Sequence, residues 1–485
     1  MNAVTATISH VFPSLSKILL LLIFLPWTAS SQADEAEQYW PQWRGPLHNG
    51  VAPHSDPPTT WSETENIRLK VEIPGRGLAS PIVWGDRIFL LTAEPADATA
   101  YEASQKAAAD KLEKQEWPPS VEPVKQAFMV LAVSRNDGRI VWRRTAVERV
   151  PHESHYLDAS WASASPVTDG ERLFAHFGSN GLYSYDVTGK LRWSVDLGDM
   201  TTRRGFGEGS SPALHGDTLI VNWDHEGDSF IVALDADTGE QRWRRERPDE
   251  VTSWATPLVV EVGERTQVVV PATGRSRGYD LETGEELWSA TGMTVNTIPT
   301  PVHRDGMVYL TSGYRGTVMQ AISLAKAKGP INDTEAMAWT FDRHTPYVPS
   351  PVLIEDRICF IKHLRNVFTC LDADSGEVIY TEKRLDGITN VYASPVVAGG
   401  RIYIFAKDGR SIVLDAGPEY KVLATNVLDD PVNASPAVAD SEIYVRSDHY
   451  LYAISSLGGD RSGTATDEPA GTQAGSKETR AGAKD

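Results

Sequence analysis

The sequence predicts an all-β protein, an eight-bladed β-propeller of four-stranded antiparallel blades closed by an N-terminal strand. Three observations predict it. A Ser-Pro or Thr-Pro step recurs eight times, at Ser80-Pro81, Ser165-Pro166, Ser211-Pro212, Thr256-Pro257, Thr300-Pro301, Ser350-Pro351, Ser394-Pro395 and Ser435-Pro436. Six of the seven intervals are 41 to 50 residues long, the size of one blade, and the first is longer because it holds an insertion. The last repeat has three strands only, while a spare strand precedes the first repeat.

Within each repeat the four strands follow in order. The Pro step opens a short apolar run, the inner strand a. A tight turn with Gly or Asp leads to strand b, and strand c ends in Leu-Asp. A Thr-Gly turn then leads to strand d, whose aromatic residue stands four positions after the Gly: Gly138/Trp142, Gly189/Trp193, Gly239/Trp243, Gly284/Trp288 and Gly376/Tyr380, with Trp339 in the fifth repeat. The Gly supplies the positive φ of a tight turn, and the aromatic packs on the outer strand against the neighbouring blade.

The ends fit closure. The eighth repeat has strands around Ala437, residues 443–446 and residues 451–454, and then runs out. Residues 66–73 alternate Ile67, Leu69, Val71 and Ile73 and have no partner of their own. They can supply the missing strand, with Leu69 in the Trp slot, and so remove two open sheet edges.

The 485 residues carry a formal net charge of -19, which argues against nucleic acid or an anionic membrane as partner. Lys17, the apolar residues 18–27 and Ser31-Gln32-Ala33 read as a secretory signal. The apolar stretch is too short to span a bilayer, which takes about 20 residues. The first cysteine is Cys359, so no lipid anchor is expected near the signal. The expected protein is exported, soluble, periplasmic or secreted, and a monomer. Its organisation reads as a signal at 1–33, a lead segment at 34–65, the propeller at 66–455 with an insertion at 97–126, and a disordered Gly/Ser/Thr/Ala-rich tail at 456–485.

Ala-Leu-Asp-Ala-Asp-Thr-Gly-Glu at 233–240 with Trp243, and Leu-Asp-Ala-Asp-Ser-Gly-Glu at 371–377, resemble the repeat of pyrroloquinoline-quinone (PQQ) propellers. The opening Trp40-Pro41-Gln42-Trp43-Arg44-Gly45-Pro46 looks like the start of exported members. The resemblance covers residues 66–455 and implies the fold; its better understood members are PQQ-dependent alcohol dehydrogenases and the outer-membrane assembly lipoprotein. This chain departs from both. Its two cysteines are eleven apart rather than adjacent, and none follows the signal.

Tight turns define one face of such a propeller. The b–c loops and d–a links define the other, where functional residues gather. The insertion, rich in Ala, Glu, Lys and Gln before Trp117-Pro118-Pro119, predicts a helix over or beside the channel mouth. Arg76, Arg203, Arg204, Arg277, Arg315 and Arg365 fall in links or loops of different blades. Converging around one mouth, they would hold an anionic ligand. Trp161, Trp254, Tyr347 and Tyr392 in the d–a links could stack on an aromatic one. No metal site is expected; Asp224 and His225 are only weak candidates, in what reads as a solvated turn over Trp223. Cys359 and Cys370 sit opposite each other if residues 364–365 form a two-residue turn, as a disulfide or as two buried thiols. Hydrolase, metalloprotease and phosphate-loop motifs are missing. The expected function is therefore a non-enzymatic ligand- or protein-binding scaffold of the cell envelope without a cofactor. The resemblance implies the alternative, a quinoprotein oxidoreductase with PQQ and Ca²⁺.

Overall fold

The computed structural model describes residues 36–362 and 365–456. The signal and all but the first residue of the tail lie outside them. Eight small antiparallel sheets follow one another along the chain, each in the order a-b-c-d. Blade 2 is typical, with strands Val167–Thr168, Arg172–His176, Leu182–Asp186 and Leu191–Val195. The chain forms an eight-bladed β-propeller. Blade 8 contains Ala437–Ala439, Glu442–Arg446 and Tyr450–Ile454, and its outer strand is Ile67–Glu72, antiparallel to Tyr450–Ile454.

The repeated sequence has a repeated physical cause. Asp186, Asp235, Asp280 and Asp372 end their c strands and accept backbone N–H groups of the turn that follows. The Gly then turns at positive φ, 75° at Gly239 and 69° at Gly284. In blades 1 to 6 the c–d register slips by one residue just after the small residue that faces the aromatic slot, a bulge that twists strand d.

Each aromatic docks on the next blade. The indole N–H of Trp142, Trp193, Trp243 and Trp339 donates to Val187 O, Ala236 O, Leu281 O and Ala373 O at 2.8 to 3.1 Å. The rings cover the turn glycines so closely that a Cβ at Gly284 would stand 2.5 Å from the Trp243 ring. Trp288 departs from the rule. The next blade's c–d connection is long, and its segment Gly329–Pro330 pairs in parallel with Glu286–Ala290. Trp288 is therefore fully buried and donates to Gln267 Oε1 of its own blade. In blade 8 Leu69 faces Ala453, the aromatic-slot position, and Leu69 and Val71 press against Gly138.

Cys359 and Cys370 pair directly across strands b and c of blade 6, with Cα atoms 4.1 Å apart, and form a disulfide. The proposed turn at 364–365 falls partly outside the described residues.

Replacing Leu69 and Val71 together with Asp sets two carboxylates against the apolar seam between blades 8 and 1. We expect a loss of about 2–4 kcal/mol, read from urea unfolding; an unchanged midpoint would mean that this strand carries no stability.

Candidate functional site: an aromatic-lined central cavity

The Ser/Thr-Pro steps gather at the axis. The residue before each Pro ends a d–a link, so its N–H has no partner within its own blade, and the Pro has no N–H to extend the ladder. The hydroxyl of the next step accepts it. Ser80 N–H donates to Ser165 Oγ, Ser165 to Ser211, and Ser211 to Thr256, at 2.9 to 3.1 Å. Thr300 donates to Ser350, Ser350 to Ser394, and Ser394 to Ser435, at 2.8 to 3.0 Å. Thr300 Oγ1 instead accepts the Trp43 indole N–H at 2.7 Å, and Ser80 Oγ is buried without a partner.

Trp43 arrives from the tight-turn side. Its lead segment is held there by Trp40 bridging Val83 and by Val51–Ala52 pairing with Val396–Ala398. Arg44 follows it in, wholly buried, donating to Pro395 O at 2.9 Å and Pro351 O at 2.8 Å. Burial pushes its pKa down to about 9. The Trp40–Pro46 motif thus plugs the channel up to the hydroxyl belt.

Above belt and plug lies a cavity of about 450 Å³, the size of a small-molecule site. Tyr156, Phe206, Trp254, Tyr347 and Tyr392 reach it from d–a links, and Trp117 and Tyr314 from b–c loops. Tyr314 and Tyr347 stack with centroids 4.7 Å apart. Trp117 touches Tyr156 and Phe206 at 5.4 and 6.2 Å while remaining 53% exposed. Helix Ala98–Glu113 of the insertion lies beside the mouth, with Tyr101 against Trp161.

Two carboxyls line the cavity. Asp158 is paired with Lys407. Glu208, from the Gly-rich stretch 205–209, accepts Ser179 N–H at 2.8 Å and the Ser179 hydroxyl. Burial holds its pKa up near 7 against those donors, with His152 lowering it and Glu153 raising it by charge. It also borders a smaller cavity of about 30 Å³ shared with His176 and Asn222, whose Nε2 and Oδ1 have no partner. That is room for about one water molecule, which could donate to both.

The structure gathers some expected site residues and scatters others. Trp254, Tyr347 and Tyr392 line the cavity, and Trp161 lines the small cavity beside it. None of the six arginines lines the central cavity. Arg277 is buried against Glu250 and Glu286, at 2.5 and 3.2 Å. Arg76 lies in a separate groove beside the helix. Arg203 and Arg204 begin a short turn outside the lining, with Arg203 half-buried near Tyr347 and Arg204 exposed; Arg315 stacks on Tyr314 at 5.4 Å, and Arg365 is exposed at the blade 6 hairpin. Asp224 and His225 are buried, while the turn that follows them, residues 226–228, is exposed. Arg247 grips both Asp224 oxygens at 2.7 and 3.1 Å, and His225 Nδ1 accepts Thr201 N–H. The guanidinium occupies the carboxylate of this weak metal candidate; among the described residues no three acidic, His or Cys side chains converge.

The lining also bears on PQQ. A planar quinone carrying carboxylates needs cations or metal beside it, and these walls offer rings, hydroxyls and two carboxyls. The residues do not fit that group.

Glu208 makes a pH prediction. Between its ordinary 4.5 and about 7 the folded protein holds a proton that the unfolded chain has released. Stability therefore falls as pH rises through that window. Glu208→Gln keeps the neutral shape. Its Tm should match the parent at about pH 5 and exceed it at about pH 8; parallel pH profiles would refute the raised pKa.

Comparisons with known proteins agree with this architecture. The fold resembles a europium-containing methanol dehydrogenase (TM-score 0.58, 12% identity, 86% of this chain and 91% of that one). It also resembles BamB from Moraxella catarrhalis (TM-score 0.51, 18% identity, 67% of this chain and 90% of that one). In sequence the chain is 27% identical over 318 residues to outer membrane protein assembly factor BamB of Bordetella pertussis, covering 61% of this chain and 75% of that protein. The family model described as outer membrane protein assembly factor BamB matches residues 126–382, more than half of the chain, and the chain belongs to this family of PQQ-like repeat propellers.

Proposed function

We propose that this chain is an exported, non-enzymatic binding module of the cell envelope, and that it takes its ligand or a partner's side chains in the central cavity on the long-loop face. The observation that carries the reading is the cavity itself: seven aromatic side chains from different links and loops meet over a blind floor. Rings of this kind bury much area at small entropic cost and are favoured at recognition sites. The signal-like residues 18–33 support export. The Bordetella pertussis relative is named for outer membrane protein assembly, which supports a place in the envelope. Trp254, Tyr347 and Tyr392 remain proposed contacts, joined by Trp117, Tyr156, Phe206 and Tyr314, while Trp161 lines the small neighbouring cavity instead. None of the six arginines is a proposed contact of the cavity ligand, since none lines the cavity and Arg277 is buried against Glu250 and Glu286.

Val348 borders the cavity and is partly exposed, so Val348→Trp should fill it without unfolding the blade. A thermal-shift screen of small molecules and short peptides against parent and variant tests the reading. A compound at about 100 times its Kd adds about 2.7 kcal/mol to parent stability and should add none to the variant. Hits that stabilise both equally would place binding elsewhere.

A further inference from the structure

We infer that the cavity accepts an uncharged saccharide. This rests on the reading above and adds the chemistry of the ligand.

The hydroxyl belt sets the floor. The oxygens of Ser165, Ser211, Thr256, Ser350, Ser394 and Ser435 each accept a backbone N–H from the neighbouring blade. All six line the cavity. Among the described residues none of these hydroxyls donates to a protein group, so each keeps an O–H to give to whatever sits on the axis. A hydroxyl also retains a second lone pair. The floor is thus a ring of small groups that both donate and accept. Asn433 extends it upward: its Oδ1 is buried without a partner at the cavity wall.

The walls are largely aromatic and flat. Tyr314 and Tyr347 present a stacked pair, and Trp117 stands half exposed at the rim. Such faces suit a ring that is apolar on its face and polar round its edge, as a pyranose is.

Charge removes the alternatives. An anion would want a cation at the floor, and the lining has no Arg or Lys side chain. An organic cation would want a free carboxylate. Asp158 already has Lys407, and Glu208 already accepts the Ser179 N–H and hydroxyl. A ligand rich in oxygen and without charge meets every group present.

Titration calorimetry against a panel of neutral di- and trisaccharides (gluco-, manno-, galacto- and N-acetylglucosamine-configured), an acidic uronate series and a set of aromatic carboxylates tests this. We expect at least one neutral sugar to bind saturably. Its affinity should be unchanged between about 0.05 and about 0.5 M NaCl, because an uncharged ligand has no interaction for salt to screen. Trp117→Ala should weaken it about tenfold, and Val348→Trp should abolish it, each variant keeping the parent's melting profile. Binding of uronates or aromatic carboxylates only, lost in Val348→Trp, overturns the saccharide while leaving the cavity as the site. Sugar binding untouched by both variants overturns the cavity. Failure of every sugar to bind overturns the inference.

Discussion

Every blade boundary at the axis has to dispose of one awkward N–H. The d–a link brings the chain back to the centre, and a proline fixes the start of the next inner strand, so the amide just before it can find no partner in its own sheet. The next blade's hydroxyl answers it, six times over. This single hydrogen bond sets the spacing between inner strands that are mostly two or three residues long. It also fixes the radius of the channel, and leaves small side chains rather than bulky ones round the axis, so that a cavity survives there.

The belt is interrupted where the ring needs something else. At blade 5 the hydroxyl is taken by Trp43 of the plug. At the seam between blades 8 and 1, Ser80 Oγ has no partner, and the joint is held farther out by charge. Arg135 of blade 1 donates to Tyr444 and Asp440 of blade 8, and Arg68, held by Glu442 within blade 8, donates to Asn136 O of blade 1 at 3.2 Å. Blade 3 carries a comparable buried group, Arg247 with Asp224 and Tyr279. Several arginines of this acidic protein are thus absorbed in joining strands and blades.

That absorption explains what could be read from the sequence and what could not. Repeat length, turn glycines, docking aromatics, the spare strand with Leu69 in its slot and the opposition of Cys359 to Cys370 all follow from local rules of spacing and register, and all are visible as letters. The direction of a loop side chain is not. Arg277 and Arg203 look alike in sequence as loop-borne cations, yet one is buried against Glu250 and the other is half-exposed in a short turn near Tyr347. Asp224-His225 reads as a polar turn because nothing nearby announces Arg247, 23 residues on. The site signal was present in another form: the Ser/Thr of each Pro step marks the repeats, and its hydroxyl stands at one register on every inner strand. The partner of Glu208, Ser179, lies 29 residues away in the same blade's b–c loop, beyond any local pattern.

The strand Ile67–Glu72 has a consequence in time. Its partner is Tyr450–Ile454, and the plug before it grips carbonyls at Pro351 and Pro395. The segment made early in synthesis therefore waits for partners made almost last. Until then blade 8 shows a bare edge, the kind that invites pairing with another chain, and contacts of such long sequence separation form slowly. That delay sets an order of assembly: the propeller cannot close round its plug until its last blade has been made.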